Sequence, residues 1–156
     1  MQTLTRMAAG TAAVFAVTLG LLAGGSPSAA QDWSLPCIGG KRVTAAELRQ
    51  GDVIVVVWAS WSPRSRGIEG RINALARKWN GRARVVAVNF QEEEAQVAAS
   101  AGQMGVPVCL DLDGAFSRRF DVSTLPGLLV LRNGEALVHE RLPEDPDRRI
   151  AAVLDR

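Results

Sequence analysis

The sequence predicts an α/β fold in which a central mixed β-sheet is flanked by helices and preceded by an N-terminal hairpin. Three observations predict it. Short β-branched apolar runs alternate with segments of helical periodicity, the pattern of strands connected by covering helices. The run 53–58, VIVVVW, leads directly into a helix-start signal at Ser62-Pro63. Finally, Asn133-Gly134 between two apolar runs is a strong two-residue hairpin signal, which adds an antiparallel pair to the sheet.

Taken in order, residues 34–43 predict a short hairpin turning at Gly39-Gly40, and Thr44 with Glu47 three positions on predicts a capped short helix. Residues 53–58 suit a strand buried on both faces. Ser62 is a good N-cap and Pro63 fits the first helical position, while Ile68, Ile72, Leu75 and Trp79 recur at helical spacing until Asn80-Gly81. Residues 85–92 predict the next strand and 92–101 a second helix ended by Gly102. A strand over 106–113, a helical turn over 115–120, a strand over 128–131 and its hairpin partner over 135–142 follow. Asp145-Pro146 starts a final helix with Ile150, Val153 and Leu154 facing inward.

The first thirty residues read as an export signal, with Arg6 as a thin positive region, an apolar stretch over 7–23 and Ser28-Ala29-Ala30 as a small-residue cleavage site. An uncleaved membrane anchor is the alternative, although Gly20, Gly24, Gly25 and Pro27 interrupt it. Residues 31–156 then form one domain, long enough for one ordinary core and too short for two. The expected location is periplasmic or secreted, with no membrane contact after cleavage. The chain has 18 basic and 16 acidic residues, both signs interspersed, and no tyrosine. No basic stripe interleaved with aromatics is present, which argues against nucleic-acid binding.

The segment 53–66, VIVVVWASWSPRSR, carries the chemistry. It resembles the W-A-x-W-C-x-x-C motif of the thioredoxin superfamily, specifically the exported TlpA/ResA-like disulfide reductases related to the AhpC/TSA redoxins, with both motif cysteines written as serine. The resemblance runs from about Leu35 to Arg156 and implies a thioredoxin-like fold with a TlpA-type central insertion. It maps the family's acid onto Glu92, the insertion strand onto 106–113 and the cis-proline onto Pro126. The family usually carries a threonine after that proline, where Gly127 stands here.

A cysteine at position 62 over a helix N-terminus would be a stabilised thiolate and a nucleophile. Two alcohols cannot store an electron pair as a disulfide, so dithiol exchange at Ser62 and Ser65 is excluded. The plain alternative makes them an N-cap and a first-turn polar residue. A nucleophilic serine needs a general base, and His139, the only histidine, falls on the far hairpin strand. Trp58 is expected in the core. The resemblance leaves Trp61 partly exposed and implies that the backbone of Leu125, before Pro126, pairs with an extended segment of another periplasmic protein. The expected groove comprises Trp61, Ser62, Pro63, Ser65, Leu125 and Pro126; a rigid turn without a ligand is the alternative. Glu92 is either the family acid or, with Glu93 and Glu94, a solvated acidic helix start.

Cys37 and Cys109 are the only cysteines. In an exported chain they form either a structural bridge or two independent thiols. Two cysteines and one histidine at unrelated spacings lack the pattern of a metal site, and no cofactor is implied. The leading functional expectation is a redox-inactive binding, chaperone or assembly module for envelope proteins. The alternatives are an oxidoreductase working through Cys37 and Cys109, and a TlpA-like reductase whose two motif cysteines were replaced by engineering.

Overall fold

Strand β3, Asp52–Trp58, shows why the sheet has two covered faces. Its residues from Val53 onward are almost completely buried, and alternate side chains sort into two separate clusters. Ile54, Val56 and Trp58 pack with Ile68, Ile72 and Leu75 of one helix and Ile150 and Leu154 of another, while Val53, Val55 and Val57 pack with Leu35, Val43, Leu48 and Phe116. A period of two with both phases apolar is the mark of a strand sandwiched between layers.

In this computed structural model, which describes residues 33–156, the elements run in chain order. β1 (Ser34–Pro36) and β2 (Arg42–Thr44) form an antiparallel hairpin, followed by α1 (Ala45–Leu48) and β3. A 3-10 turn (Pro63–Ser65) precedes α2 (Ile68–Lys78); then come β4 (Arg84–Phe90), α3 (Glu94–Ala101), β5 (Val108–Asp111), α4 (Ala115–Arg119), β6 (Gly127–Arg132), β7 (Glu135–Arg141) and α5 (Pro146–Leu154). The five-stranded sheet has the order β5-β4-β3-β6-β7. β3 pairs parallel with β4, Val55 opposite Val86, and antiparallel with β6, Val55 opposite Leu129. The expected mixed sheet with flanking helices is therefore present. The export signal expected over 1–30 lies outside the described residues, and among the described residues no helix is long and apolar enough to cross a membrane.

Local chemistry explains the element ends. Thr44 and Glu47 form the expected capping box, the Thr44 hydroxyl accepting from Glu47 N–H and the Glu47 carboxylate accepting from Thr44 N–H at 2.8 Å. Asn133 and Gly134, with φ of 52° and 85°, make the two-residue turn between β6 and β7. Asp145 caps α5 by accepting from Arg148 N–H, with Pro146 at its first position.

Three expectations are corrected. The first long helix does not start at Ser62. Ser65 N–H donates to Ser62 O at 2.9 Å and closes a single 3-10 turn; Arg66 is then extended, and Gly67 takes the left-handed region at φ 67° before α2 begins. Position 62 therefore precedes a three-residue turn, without a side-chain capping bond, and is not the N-cap of α2, which is Gly67. The second correction concerns Glu92, which precedes α3 and is buried; Glu93 is the N-cap. Val153, expected to face inward, is only partly buried beside Ile150 and Leu154.

Candidate functional site

The C-terminal ends of the parallel strands β3 and β4 and the loop before β6 converge on the motif. Trp58, the last residue of β3, is 1% exposed, whereas Trp61, three residues on, is 61% exposed. The two tryptophans thus divide as expected: one anchors the strand and the other stands in solvent.

The turn between them is held from below. Glu92, 5% exposed, accepts from Ser60 N–H at 2.7 Å, from the Ser60 hydroxyl and from Asn89 Nδ2 at 2.7 Å. A buried carboxylate is tolerated only when its oxygens are occupied in this way. Glu92 is accordingly a clamp on the segment that presents Trp61, which the reading of a solvated helix start did not foresee. Its partners Ser60 and Asn89 were also missed; the Asn89-x-x-Glu92 spacing at a strand end is the signal that could have found Asn89.

The Leu125–Pro126 peptide bond is cis, as the family resemblance implied. Ser62 is 7% exposed and its hydroxyl donates to Leu125 O over a long 3.5 Å, so the turn and the cis-proline loop do meet. Ser65 is 6% exposed, and its hydroxyl has no hydrogen-bond partner among the described residues. Pro63 is exposed at the start of the 3-10 turn. A cavity of about 260 Å³ opens at this junction, lined by Trp61, Ser62, Phe90, Val122, Ser123 and Leu125. Of the six groove residues expected, Trp61, Ser62 and Leu125 line it; Phe90, Val122 and Ser123 complete the wall and were not anticipated.

The other expected residues lie elsewhere. Cys37 and Cys109 are joined in a disulfide that ties the turn after β1 to the outer strand β5, where the two cysteines also form an isolated antiparallel bridge. Ile38 N–H donates to Val108 O at 2.9 Å beside it. The residues are 5% and 0% exposed, and β4 stands between their strand and β3. His139 is on β7 with Nδ1 3.8 Å from Asp121 Oδ2. The Ser62 hydroxyl is directed to a backbone carbonyl, and among the described residues no side-chain base is hydrogen-bonded to it. Among the described residues no group of three or more His, Cys, Asp or Glu side chains could hold a metal ion.

Chemically, this junction cannot exchange disulfides at positions 62 and 65, where both residues are serine. It offers an exposed indole, an apolar cavity and the backbone next to a cis-proline. Comparison with known proteins matches the same framework. The solved structure of DsbE from Chlorobium tepidum, a candidate thiol:disulfide interchange protein, superposes with a TM-score of 0.67 at 26% identity, covering 80% of this chain and 94% of that one. A secreted disulfide oxidoreductase of Mycobacterium tuberculosis superposes with a TM-score of 0.66 at 15% identity, covering 80% and 96%. StoA from Bacillus subtilis gives 0.59 at 20% identity, covering 73% and 90%. The sequence profile of the AhpC/TSA family matches residues 27–139. With its central five-stranded mixed sheet, its cis-proline loop and that match over most of its length, the chain belongs to the AhpC/TSA family and has the thioredoxin-like fold of thiol:disulfide oxidoreductases.

Proposed function

We propose that this protein is an exported thioredoxin-like module that works by holding an extended segment of another envelope protein, as a chaperone or assembly factor, and not by dithiol exchange at its motif. One observation carries the reading. The framework of the motif is intact, with Trp61 in solvent, Glu92 clamping its turn and Leu125 before the cis-proline, while serine occupies both reactive positions. An extended segment pairing with the Leu125 backbone would gain main-chain hydrogen bonds and lay a side chain against Trp61, and neither interaction requires sulfur. The sequence signal over 1–30 supports export, after which no membrane contact and no cofactor are needed.

The test couples two assays. The mature protein is expected to show no dithiol-driven reduction of insulin, yet to suppress aggregation of an unfolded client stoichiometrically, and Trp61→Ala with Leu125→Asp should abolish that suppression. Suppression unaffected by both substitutions would remove the groove from the account. Ser62→Cys/Ser65→Cys should introduce insulin reduction, because the surrounding framework is present.

A second reading keeps thiol chemistry and moves it to Cys37–Cys109. It is favoured by one observation, an open groove of about 490 Å³ lined by Cys37 together with Ile38, Lys41 and 105–108. An incoming thiolate would bond to Cys37 Sγ, the disulfide would break, and Cys109 would leave as a thiolate. Cys109 is fully buried in the apolar cluster that includes Val88 and Leu129. Burial there raises the cost of the leaving thiolate, which places this reading second.

A further inference from the structure

Gly127, the residue after the cis-proline, is required for space. A Cβ there would lie 2.6 Å from Val122 Cγ1 and 2.9 Å from Thr124 O, closer than real Cβ contacts come, and the second contact is with backbone. The missing side chain therefore lets the loop before Pro126 fold back on β6 and seats Val122 where a larger residue at position 127 would push it out. Val122 is one of the walls of the cavity beside Trp61, together with Phe90 and Leu125. Gly127 thus sets the shape of that cavity without touching its contents.

Charged residues flank the wall residues Ser62 and Val122 in the chain. Arg64 and Arg66, two and four residues after the wall residue Ser62, are exposed, and neither forms an ion pair with another described residue. Asp121, the residue before the wall residue Val122, is 85% exposed and its carboxylate lies 3.8 Å from His139. An acidic side chain would be attracted toward the arginines and repelled from Asp121.

Building on the groove reading above, we propose that the cavity takes one large apolar side chain of an extended segment whose neighbouring residues are acidic and meet Arg64 and Arg66, and that Val122, seated by Gly127, determines its size. The occupant is a peptide segment with an apolar anchor and an acidic flank. A cavity of about 260 Å³ walled by an indole, a phenyl ring and two aliphatic side chains suits one such anchor, and buried anchors of this type dominate the affinity of small interfaces.

Fluorescence anisotropy with three labelled peptides of equal length tests this on the mature protein: a central phenylalanine flanked by glutamates, the same flanked by lysines, and alanine flanked by glutamates. The glutamate-phenylalanine peptide should bind tightest. The lysine version should bind about fivefold more weakly at low salt, with the gap closing as salt is added, and the alanine version on the order of tenfold more weakly. Arg64→Glu/Arg66→Glu should invert the order of the two charged peptides. Val122→Ala should shift preference toward a fourth peptide of equal length in which tryptophan, flanked by glutamates, replaces the phenylalanine. Equal binding of the glutamate and lysine peptides overturns the acidic-flank assignment while leaving the groove reading standing. Equal binding of phenylalanine and alanine, or a Val122→Ala variant with unchanged preference, overturns the anchor. Binding of none of the three removes both the proposal and the groove reading.

Discussion

Two pairs of residues in this chain divide between them what a dithiol site combines. Ser62 and Ser65 follow an exposed tryptophan and a segment clamped by a buried carboxylate, Ser62 meeting the residue before a cis-proline, and they have no sulfur. Cys37 and Cys109 have the sulfur, already joined, at the covered outer edge of the sheet under 5% and 0% exposure. The difference shows that reactivity belongs to neither element alone. A thiol exchanges when it is accessible and its thiolate is stabilised; here the framework keeps its shape without thiols. The outer edge gains something else from its sulfur, because the disulfide fastens the β1–β2 hairpin across β5 and covers backbone that would otherwise be an open edge.

The strongest way to break this comparison is to remove the staple. The disulfide closes a separation of 72 residues, and the chain-entropy account assigns it about 4 kcal/mol. Cys37→Ala/Cys109→Ala should lower denaturant stability by that order, while peptide affinity at the motif is retained when measured well below the unfolding midpoint. A loss of affinity with no loss of stability would reverse the roles of the two pairs.

Next in size is the clamp. Glu92→Gln exchanges a charged acceptor of three hydrogen bonds for an amide whose nitrogen faces donors, so a loss of about 1–3 kcal/mol is expected. Acrylamide quenching of Glu92→Gln, with Glu92→Gln/Trp61→Phe as the control that isolates the Trp61 signal, should register a loosened turn. Unchanged melting and quenching would mean that Glu92 holds nothing.

A smaller effect, of opposite sign, comes from Ser65. Its buried hydroxyl has no partner among the described residues, whereas alanine would need none. Ser65→Ala should therefore stabilise the fold by about 1 kcal/mol in chemical denaturation. Destabilisation would show that the hydroxyl is bonded in solution.

The smallest effect lies far from both pairs, in α1. The Thr44 N–H and hydroxyl, followed by Arg84, hold the Glu47 carboxyl below its ordinary range. Because its folded pKa lies below the unfolded value, the capping box contributes fully above the ordinary glutamate range, and the contribution is lost as pH falls through the depressed value. Glu47→Gln should flatten the stability profile slightly in that acidic window and leave neutral pH nearly unaffected. An identical profile in both proteins would contradict the assignment.

Much of this was legible in the sequence because the signals are local. The capping box at Thr44, the hairpin at Asn133-Gly134 and the two-faced apolar run of β3 need no tertiary knowledge. The family motif carried Pro126 and the position of Glu92. What stayed hidden depends on contacts across the fold. Ser62 is an acceptable N-cap anywhere, and only the placement of Gly67 in the left-handed region separates its turn from α2. Whether Cys37 and Cys109 pair depends on the hairpin lying along β5, a contact between segments 72 residues apart. The walls contributed by Phe90, Val122 and Ser123, and the reason for a glycine at 127, appear only when the loop before β6 is seen against β4 and the motif turn.

The most direct measurement is a thiol-labelling titration of the mature protein across redox buffers, reading the state of Cys37 and Cys109. A buried structural staple should be reduced only below about −300 mV, with the motif region playing no part. A reversible transition between about −120 and −270 mV, the range of exchange catalysts, would contradict the division of roles and make the outer edge of the sheet a redox centre.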